Sequence, residues 1–261
     1  MTPATLPDTR KSTVVGAAPD GAADSHSAAT AVREMFTAIA PRYDLLNHLL
    51  SFNTDKRWWS RTAKTFSLVL QRPNARVLDL CCGTGDMAFA LRRRAQELGN
   101  QKIEIAGADF SHAMLQRALA KPRGTSLHWM EADALRLPIR DQAFDLVTSA
   151  FGFRNLVDYD AGLREILRVL RAGGEVGILD FGEPRGWFGK IYRVYFRQVL
   201  PRLGSAISGV QGPYAYLPAS VQRFPQPGEM LERMRQAGFR DVTWTPYTMG
   251  IAGLYRAHRP S

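Results

Sequence analysis

The sequence predicts an α/β fold built on a doubly wound, mostly parallel sheet of seven strands, and three observations predict it. Five short β-rich runs alternate with amphipathic helical stretches: Arg76–Leu80, Ile103–Ala108, Ser126–Met130, Phe144–Ser149 and Glu175–Asp180. Such alternation is the signature of strand–helix–strand crossovers. The first run ends in Asp79 and Leu80, then passes through Cys81-Cys82-Gly83-Thr84-Gly85 into a helical pattern. A two-glycine turn between strand and helix lets backbone approach a ligand closely. Finally, Val242–Tyr247 and Ile251–His258 read as two closing strands that form one antiparallel hairpin.

Taken in order, residues 1 to 30 are rich in Ala, Asp, Thr, Ser, Gly and Pro and are expected to form a disordered tail. The remainder, 31–261, reads as a single domain, a length that can bury a full core. Residues 31–72 form a helical cover: Val32, Met35, Phe36 and Ile39 recur at helical spacing, Pro41 interrupts them, and Trp58, Trp59 and Phe66 lie in a further helical segment. The alternating core follows. Residues 183–228 break the alternation with Gly, Pro and aromatics, as a lid or insert would. Within it, Trp187–Leu200 mixes aromatics with Lys190, Arg193 and Arg197, the make-up either of an amphipathic helix at a membrane surface or of a helix packed on the core. A helix at 227–237 precedes the hairpin.

Composition narrows the class. The chain carries a formal charge of +10 with pI near 10, which suits an anionic membrane surface, nucleic acid or acidic ligands. No basic run is dense enough for a phosphate-backbone track, and no Asn/Asp-Pro-Pro-aromatic base-flipping motif occurs, so nucleic acid is disfavoured. The two cysteines, Cys81 and Cys82, are adjacent and have no metal-site companions. They read as small packing residues beside the glycine loop, with a redox role as the competing reading, and no metal is expected. Without a membrane-length apolar run or a secretory signal pattern, a cytoplasmic location is expected.

Three ligands compete for the glycine loop. A dinucleotide site wants a third glycine, where Ala88 stands; a phosphate-cradling loop wants a Lys after the last glycine, and none follows Gly85. A sulfonium nucleoside such as S-adenosylmethionine (SAM) needs no phosphate cradle, only backbone room and acidic groups for its amino acid and ribose. Asp79 suits that ligand and would repel a pyrophosphate. Asp109 closes the second run, where a carboxylate takes ribose hydroxyls. Glu131-Ala132-Asp133-Ala134 follows the third run and can meet an adenine. Each of these aspartates alone also reads as a cap or turn residue.

Four separated motifs then carry a resemblance. Tyr43-Asp44-x-x-Asn47-x-x-Leu50-Ser51 followed by Trp58, Phe151-Gly152-Phe153-Arg154-Asn155, Arg168-Val169-Leu170-Arg171-Ala172-Gly173-Gly174 running on to Leu179-Asp180-Phe181, and Tyr216-Leu217-Pro218-x-Ser220-Val221-x-x-Phe224-Pro225 resemble, in order, the ubiquinone/menaquinone biosynthesis C-methyltransferases. The core between them resembles a class I SAM-dependent methyltransferase with its Rossmann-like sheet. Departures are local: Asp55 stands where many members have His, Ala150 where a Ser is common, Arg171-Ala172 where Lys-Pro is usual, Asp180 where many have Glu and Gly182 where a Ser is common.

The resemblance implies methyl transfer from SAM to a ring carbon of a prenylated quinol, demethylmenaquinol being favoured over a methoxy-benzoquinol of ubiquinone synthesis. It implies a SAM site at Asp79, Gly83, Thr84, Gly85, Asp109, Asp133, Ala134 and Ala150. The catalytic residues implied are Arg154, holding a developing phenolate directly or through a water that carries the proton away, with Asn155 orienting that water or a quinol oxygen and Tyr43 and Asp44 completing the wall or a relay. The competing reading of Arg154 is a salt bridge to a neighbouring helix; that of Tyr43 is packing under the lid. Peripheral contact with the inner face of a membrane, a homodimer or quinone-biosynthesis partners are further expectations. The competing functions are methylation of another phenolic small molecule, methylation of nucleic acid, and a non-catalytic SAM- or quinone-binding accessory role.

Overall fold

A computed structural model describes residues 16–17, 24–40, 54–122, 124–184, 186–187, 189 and 213–261. Seven strands form one sheet: β1 Arg76–Leu80, β2 Glu104–Asp109, β3 His128–Glu131, β4 Phe144–Ala150, β5 Leu170–Phe181, β6 Arg240–Tyr247 and β7 Ala252–His258. Their spatial order is β3-β2-β1-β4-β5-β7-β6. The first five run parallel, and β7 pairs antiparallel with both β5 and β6. The order reverses on either side of β1 and β4, and there a cleft opens beyond the strands' carboxyl ends.

Helices cover both faces. They are α1 Ser25–Ile39, α2 Thr54–Thr65, α3 Ser67–Leu70, α4 Asp86–Glu97, α5 His112–Ala120, α6 Tyr159–Val169, α7 Pro213–Arg223 and α8 Pro227–Gln236. With both faces covered, the central strands read as unbroken apolar runs. Alternate residues feed two cores. Leu78, Leu80, Val147 and Ile178 pack with Leu163, Ile166, Met230 and Met234. Val77, Ile105, Leu146 and Leu179 pack with Leu91, Phe66 and Leu70 on the other side.

Several boundaries differ from the sequence reading. α1 begins at Ser25, inside the stretch expected to be tail, because Asp24 and Ser27 form a capping box: the Ser27 amide donates to Asp24 Oδ1 at 2.8 Å, and the Asp24 amide donates to Ser27 Oγ at 3.0 Å. Further upstream, the Gly16 and Ala17 amides donate to the carbonyls of Val157 and Leu156. β3 starts at His128 because a 3-10 turn at Gly124–Ser126 absorbs Ser126. β5 extends back to Leu170, before the expected Glu175. The closing hairpin is present as read. Residues 41–53, which hold Tyr43 and Asp44, and most of the amphipathic stretch at Trp187–Leu200 lie outside the described residues.

Candidate active site

The loop after β1 is built by the residues around it. Gly85 has φ +85°, and a Cβ there would lie 2.5 Å from the Trp129 ring. Gly107 on β2 is equally tight, with a Cβ position 2.5 Å from the same ring. One indole thus packs against two glycines, and its Nε1 donates to the Gly124 carbonyl at 2.8 Å. Trp129 is a residue the sequence reading did not single out.

Two aspartates lock this loop from below. Asp79 is wholly buried; its Oδ1 accepts from Thr148 Oγ1 at 2.9 Å and its Oδ2 from the Ala88 amide at 3.1 Å. Ala88 lies in the first turn of α4, whose N-cap is Gly85, so Asp79 caps the helix from the strand, a role Gly85 has no side chain to fill. Asp109 accepts from the Gly83 amide at 2.8 Å and the Ser111 amide at 2.9 Å. Burial pushes the Asp79 carboxyl up to about 7, with Thr148 and Ala88 opposing and Asp109 and Asp86 adding to the rise. Burial likewise raises Asp109 to about 6, against the hydrogen bonds from Ser111 and Gly83. Both thiols, Cys81 and Cys82, are pushed up by burial and by Asp109, the opposite of a reactive thiolate, which favours packing over redox chemistry.

Thr84 is held from α5's end. Lys121 Nζ donates to Thr84 Oγ1 at 3.0 Å and to Asp86 Oδ1 at 2.8 Å. After β3, Glu131 takes an ion pair from Arg33 of α1 and a contact from His112 Nδ1 at 3.0 Å, so α1 is tied across the cleft. Asp133 is exposed and accepts from the Leu135 amide at 2.9 Å, while Ala134 is buried beside it.

The other wall follows β4. Ala150, Phe151, Gly152 and Asn155 line the cavity, and Phe151 packs on Phe181 and Trp58 with ring centroids 4.5 and 5.7 Å away. Arg154 does not line it. Its guanidinium is buried and donates to Asp180 Oδ1 at 2.9 Å, to the Phe151 carbonyl, and to Ser220 Oγ at 3.4 Å; its backbone amide donates to Asp180 Oδ2 at 3.0 Å. Arg154 is in an ion pair, and its partner is on a strand rather than a helix. Asn155 is what reaches the cavity, and Tyr216 Oη donates to Asn155 Oδ1 at 3.2 Å.

The cavity between these walls has a volume of about 630 Å³. Asp79, Asp86, Asp109, Glu131 and Asp133 line it, against Arg33 and His26. That excess of carboxylates suits a ligand carrying sulfonium and ammonium charge and opposes a pyrophosphate. Its size and its glycine-tight loop suit a nucleoside with an amino-acid arm. The residues present therefore fit SAM. Among the described residues, no group of three or more His, Cys, Asp or Glu is arranged to hold a metal ion.

Comparison with known proteins agrees with this geometry. The profile of the ubiE/COQ5 methyltransferase family matches residues 24–259. A demethylmenaquinone methyltransferase of Thermus thermophilus is 48% identical over 229 residues, covering 87% of this chain and 100% of that protein. A ubiquinone/menaquinone biosynthesis C-methyltransferase UbiE of Geobacter sulfurreducens is 40% identical, covering 87% of this chain and 88% of that protein. Among solved structures, the [4+2]-cyclase SpnF aligns with TM-score 0.64 at 19% identity, covering 89% of this chain and 97% of its own. A SAM-dependent methyltransferase of Thermotoga maritima aligns with TM-score 0.58 at 19% identity, covering 87% and 98%, and these two show the fold. Sheet topology, acidic cleft and sequence together place the chain in the ubiE/COQ5 methyltransferase family.

Proposed function

We propose that this enzyme transfers a methyl group from SAM to a ring carbon of a prenylated quinol, converting demethylmenaquinol to menaquinol. The observation that carries the reading is the carboxylate-lined cleft at the switch point of the sheet, in a chain 48% identical to a demethylmenaquinone methyltransferase. SAM supplies the electrophilic methyl. Gly83 and Thr84 present backbone to its amino-acid arm, with Gly85 making the turn behind them, Asp109 and Asp133 take hydroxyl and amine donors, and Ala134 and Ala150 leave room for the rings.

The chain's own residues then handle the acceptor. A phenol near pKa ~10 must lose its proton before its ortho carbon becomes a strong nucleophile. Arg154 supports this at one remove: paired with Asp180, its guanidinium donates to the Phe151 carbonyl and fixes the Phe151–Asn155 turn. Asn155 presents its amide to a quinol oxygen or to the water that carries the proton off. Phe151 and Trp59 keep the acceptor side apolar, which aids a displacement that neutralises charge. In this reading the acceptor's isoprenoid chain brings the enzyme to a membrane surface, and Tyr43 and Asp44, outside the described residues, keep the acceptor role that the resemblance implies. Among the described residues no helix is long and apolar enough to cross a membrane.

A benzoquinol acceptor is the second reading, favoured by relatives named for both pathways. Incubation of the protein with methyl-labelled SAM and, in parallel, reduced demethylmenaquinone and a demethylated methoxy-benzoquinol separates the two by product mass. Label in the naphthoquinol alone is expected. Label in the benzoquinol alone transfers the assignment, and label in neither, with SAM still bound, overturns the acceptor.

A further inference from the structure

One face outside the cavity is unaccounted for by the chemistry above. Along α2, Arg57, Arg61 and Lys64 are exposed at i, i+4 and i+7 and share one face; Lys56, also exposed, flanks it, and Leu68 is exposed on α3. The only acid in α2 is Asp55, which is buried, and no carboxylate pairs with these four cations among the described residues. Arg61 lies 4.1 Å over the Tyr247 ring, which leaves its charge outward.

Beside this stripe sits a strained turn. Thr248, Met249 and Gly250 have φ of 46°, 54° and 91°, three left-handed residues in succession. Trp58 Nε1 donates to Thr248 Oγ1 at 2.8 Å and fastens that turn to α2. The product of the strain is Met249, 69% exposed, one residue from the Thr248 that Trp58 holds and two from the Tyr247 that Arg61 covers; Leu68, 66% exposed, follows on α3. A left-handed methionine held out to solvent is a costly arrangement for mere surface.

The opposite side of the same helix belongs to the site. Trp59 lines the cavity, and Trp58 packs on Phe151 and Phe181. The basic, apolar-tipped face is therefore one helix width from the cavity's acceptor wall.

We propose that this face, Lys56, Arg57, Arg61 and Lys64 with Leu68 and Met249 as apolar tips, docks the enzyme on an anionic bilayer. Cations draw it to acidic headgroups, and the two apolar side chains enter between them. Single-stranded nucleic acid fits less well, because it calls for exposed aromatic platforms and both tryptophans of α2 are turned inward. The proposal rests on the quinol reading, since an isoprenoid acceptor resides in the bilayer, but its test does not depend on turnover.

The test is flotation of the full chain with phosphatidylcholine vesicles, with or without phosphatidylglycerol. Binding is expected only to the anionic vesicles and is lost at high salt. Each cation contributes about fivefold, so Lys56→Gln/Arg57→Gln/Lys64→Gln lowers the partition coefficient roughly a hundredfold, while turnover of a short-chain, water-soluble quinol stays at the parent's level. Met249→Asn separates docking from folding. Asn tolerates the left-handed region, so the melting temperature holds or rises while vesicle binding falls. Equal binding to neutral vesicles, a triple variant that floats like the parent, or preferential binding of an unstructured oligonucleotide overturns the proposal. If the enzyme docks as described but methylates neither quinol, the acceptor assignment fails and the surface stands.

Discussion

Replacing Asp79 by Asn should make the protein more stable, and increasingly so as pH rises. Asp79 is 0% exposed, and burial holds its carboxyl at about 7 against an ordinary 3.8. The unfolded chain releases this proton near pH 4; the folded chain keeps it to about 7. Folded stability is therefore greatest below the unfolded value and drains away as pH climbs through that window, levelling off above it. About three pKa units at roughly 1.4 kcal/mol each bound the loss near 4 kcal/mol. An amide keeps both contacts: its oxygen accepts from the Ala88 amide, and its nitrogen donates to Thr148, whose hydroxyl can accept. Urea unfolding of parent and Asp79→Asn at pH 5 and pH 8 reads the effect, because Asp109 titrates alike in both proteins and cancels. The variant's advantage should widen by about 3 kcal/mol between the two pH values. A constant or narrowing gap refutes the argument. If the same carboxylate serves the proposed SAM site, SAM affinity of the parent rises with pH between 6 and 8, and that of the variant is weaker and rises less, through Asp109 alone.

Other outcomes follow from the same contacts. Asp109→Ala removes the proposed ribose acceptor and the anchor of the Gly83 amide, so SAM binding measured by calorimetry should weaken at least ~tenfold, and a dissociation constant within about twofold of the parent refutes the role. Asp180→Leu strands the buried Arg154 charge and should cost about 3–5 kcal/mol, a melting-temperature drop of roughly 6–20 °C. Adding Arg154→Met to that variant should restore more than half of the drop while turnover stays lost; no recovery would mean the pair is not the source of the damage. Lys121→Met removes one tether from each of Thr84 and Asp86, so steady-state kinetics should show KM for SAM rising several-fold with kcat little changed; a fall confined to kcat argues against the positioning role.

The sheet was readable because parallel strands covered on both sides carry continuous apolar runs, as Val77–Leu80 and Leu146–Val147 do. The start of α1 was not, since an Ala- and Ser-rich segment scores as tail until Asp24 and Ser27 are recognised as reciprocal caps. In the site, Asp109 announced itself by closing a strand. Its grip on the Gly83 amide did not, because that contact depends on β1 and β2 being neighbours in space. Arg154 shows the limit most clearly. Its motif was visible, yet its partner Asp180 lies 26 residues on and reaches it only because β4 and β5 pair in register, Ala150 opposite Leu179. Trp129 carries no local signal at all; its place is set by two glycines on other elements.

The antiparallel strand β7 has a consequence for biosynthesis. It occupies an interior lane of the sheet, with Leu179, Asp180 and Phe181 of β5 opposite Leu254, Gly253 and Ala252. A ribosome making this chain lays down the glycine loop, the acidic cleft and Arg154 long before the segment that flanks Asp180 exists. Until residue 258 has emerged, one edge of β5 stays open beside the site, a strand edge available to chaperones or to other nascent chains. Quality control of this enzyme therefore falls late in translation: a frameshift that removes residues 252–258 leaves every cofactor-facing residue in place and the sheet unfinished.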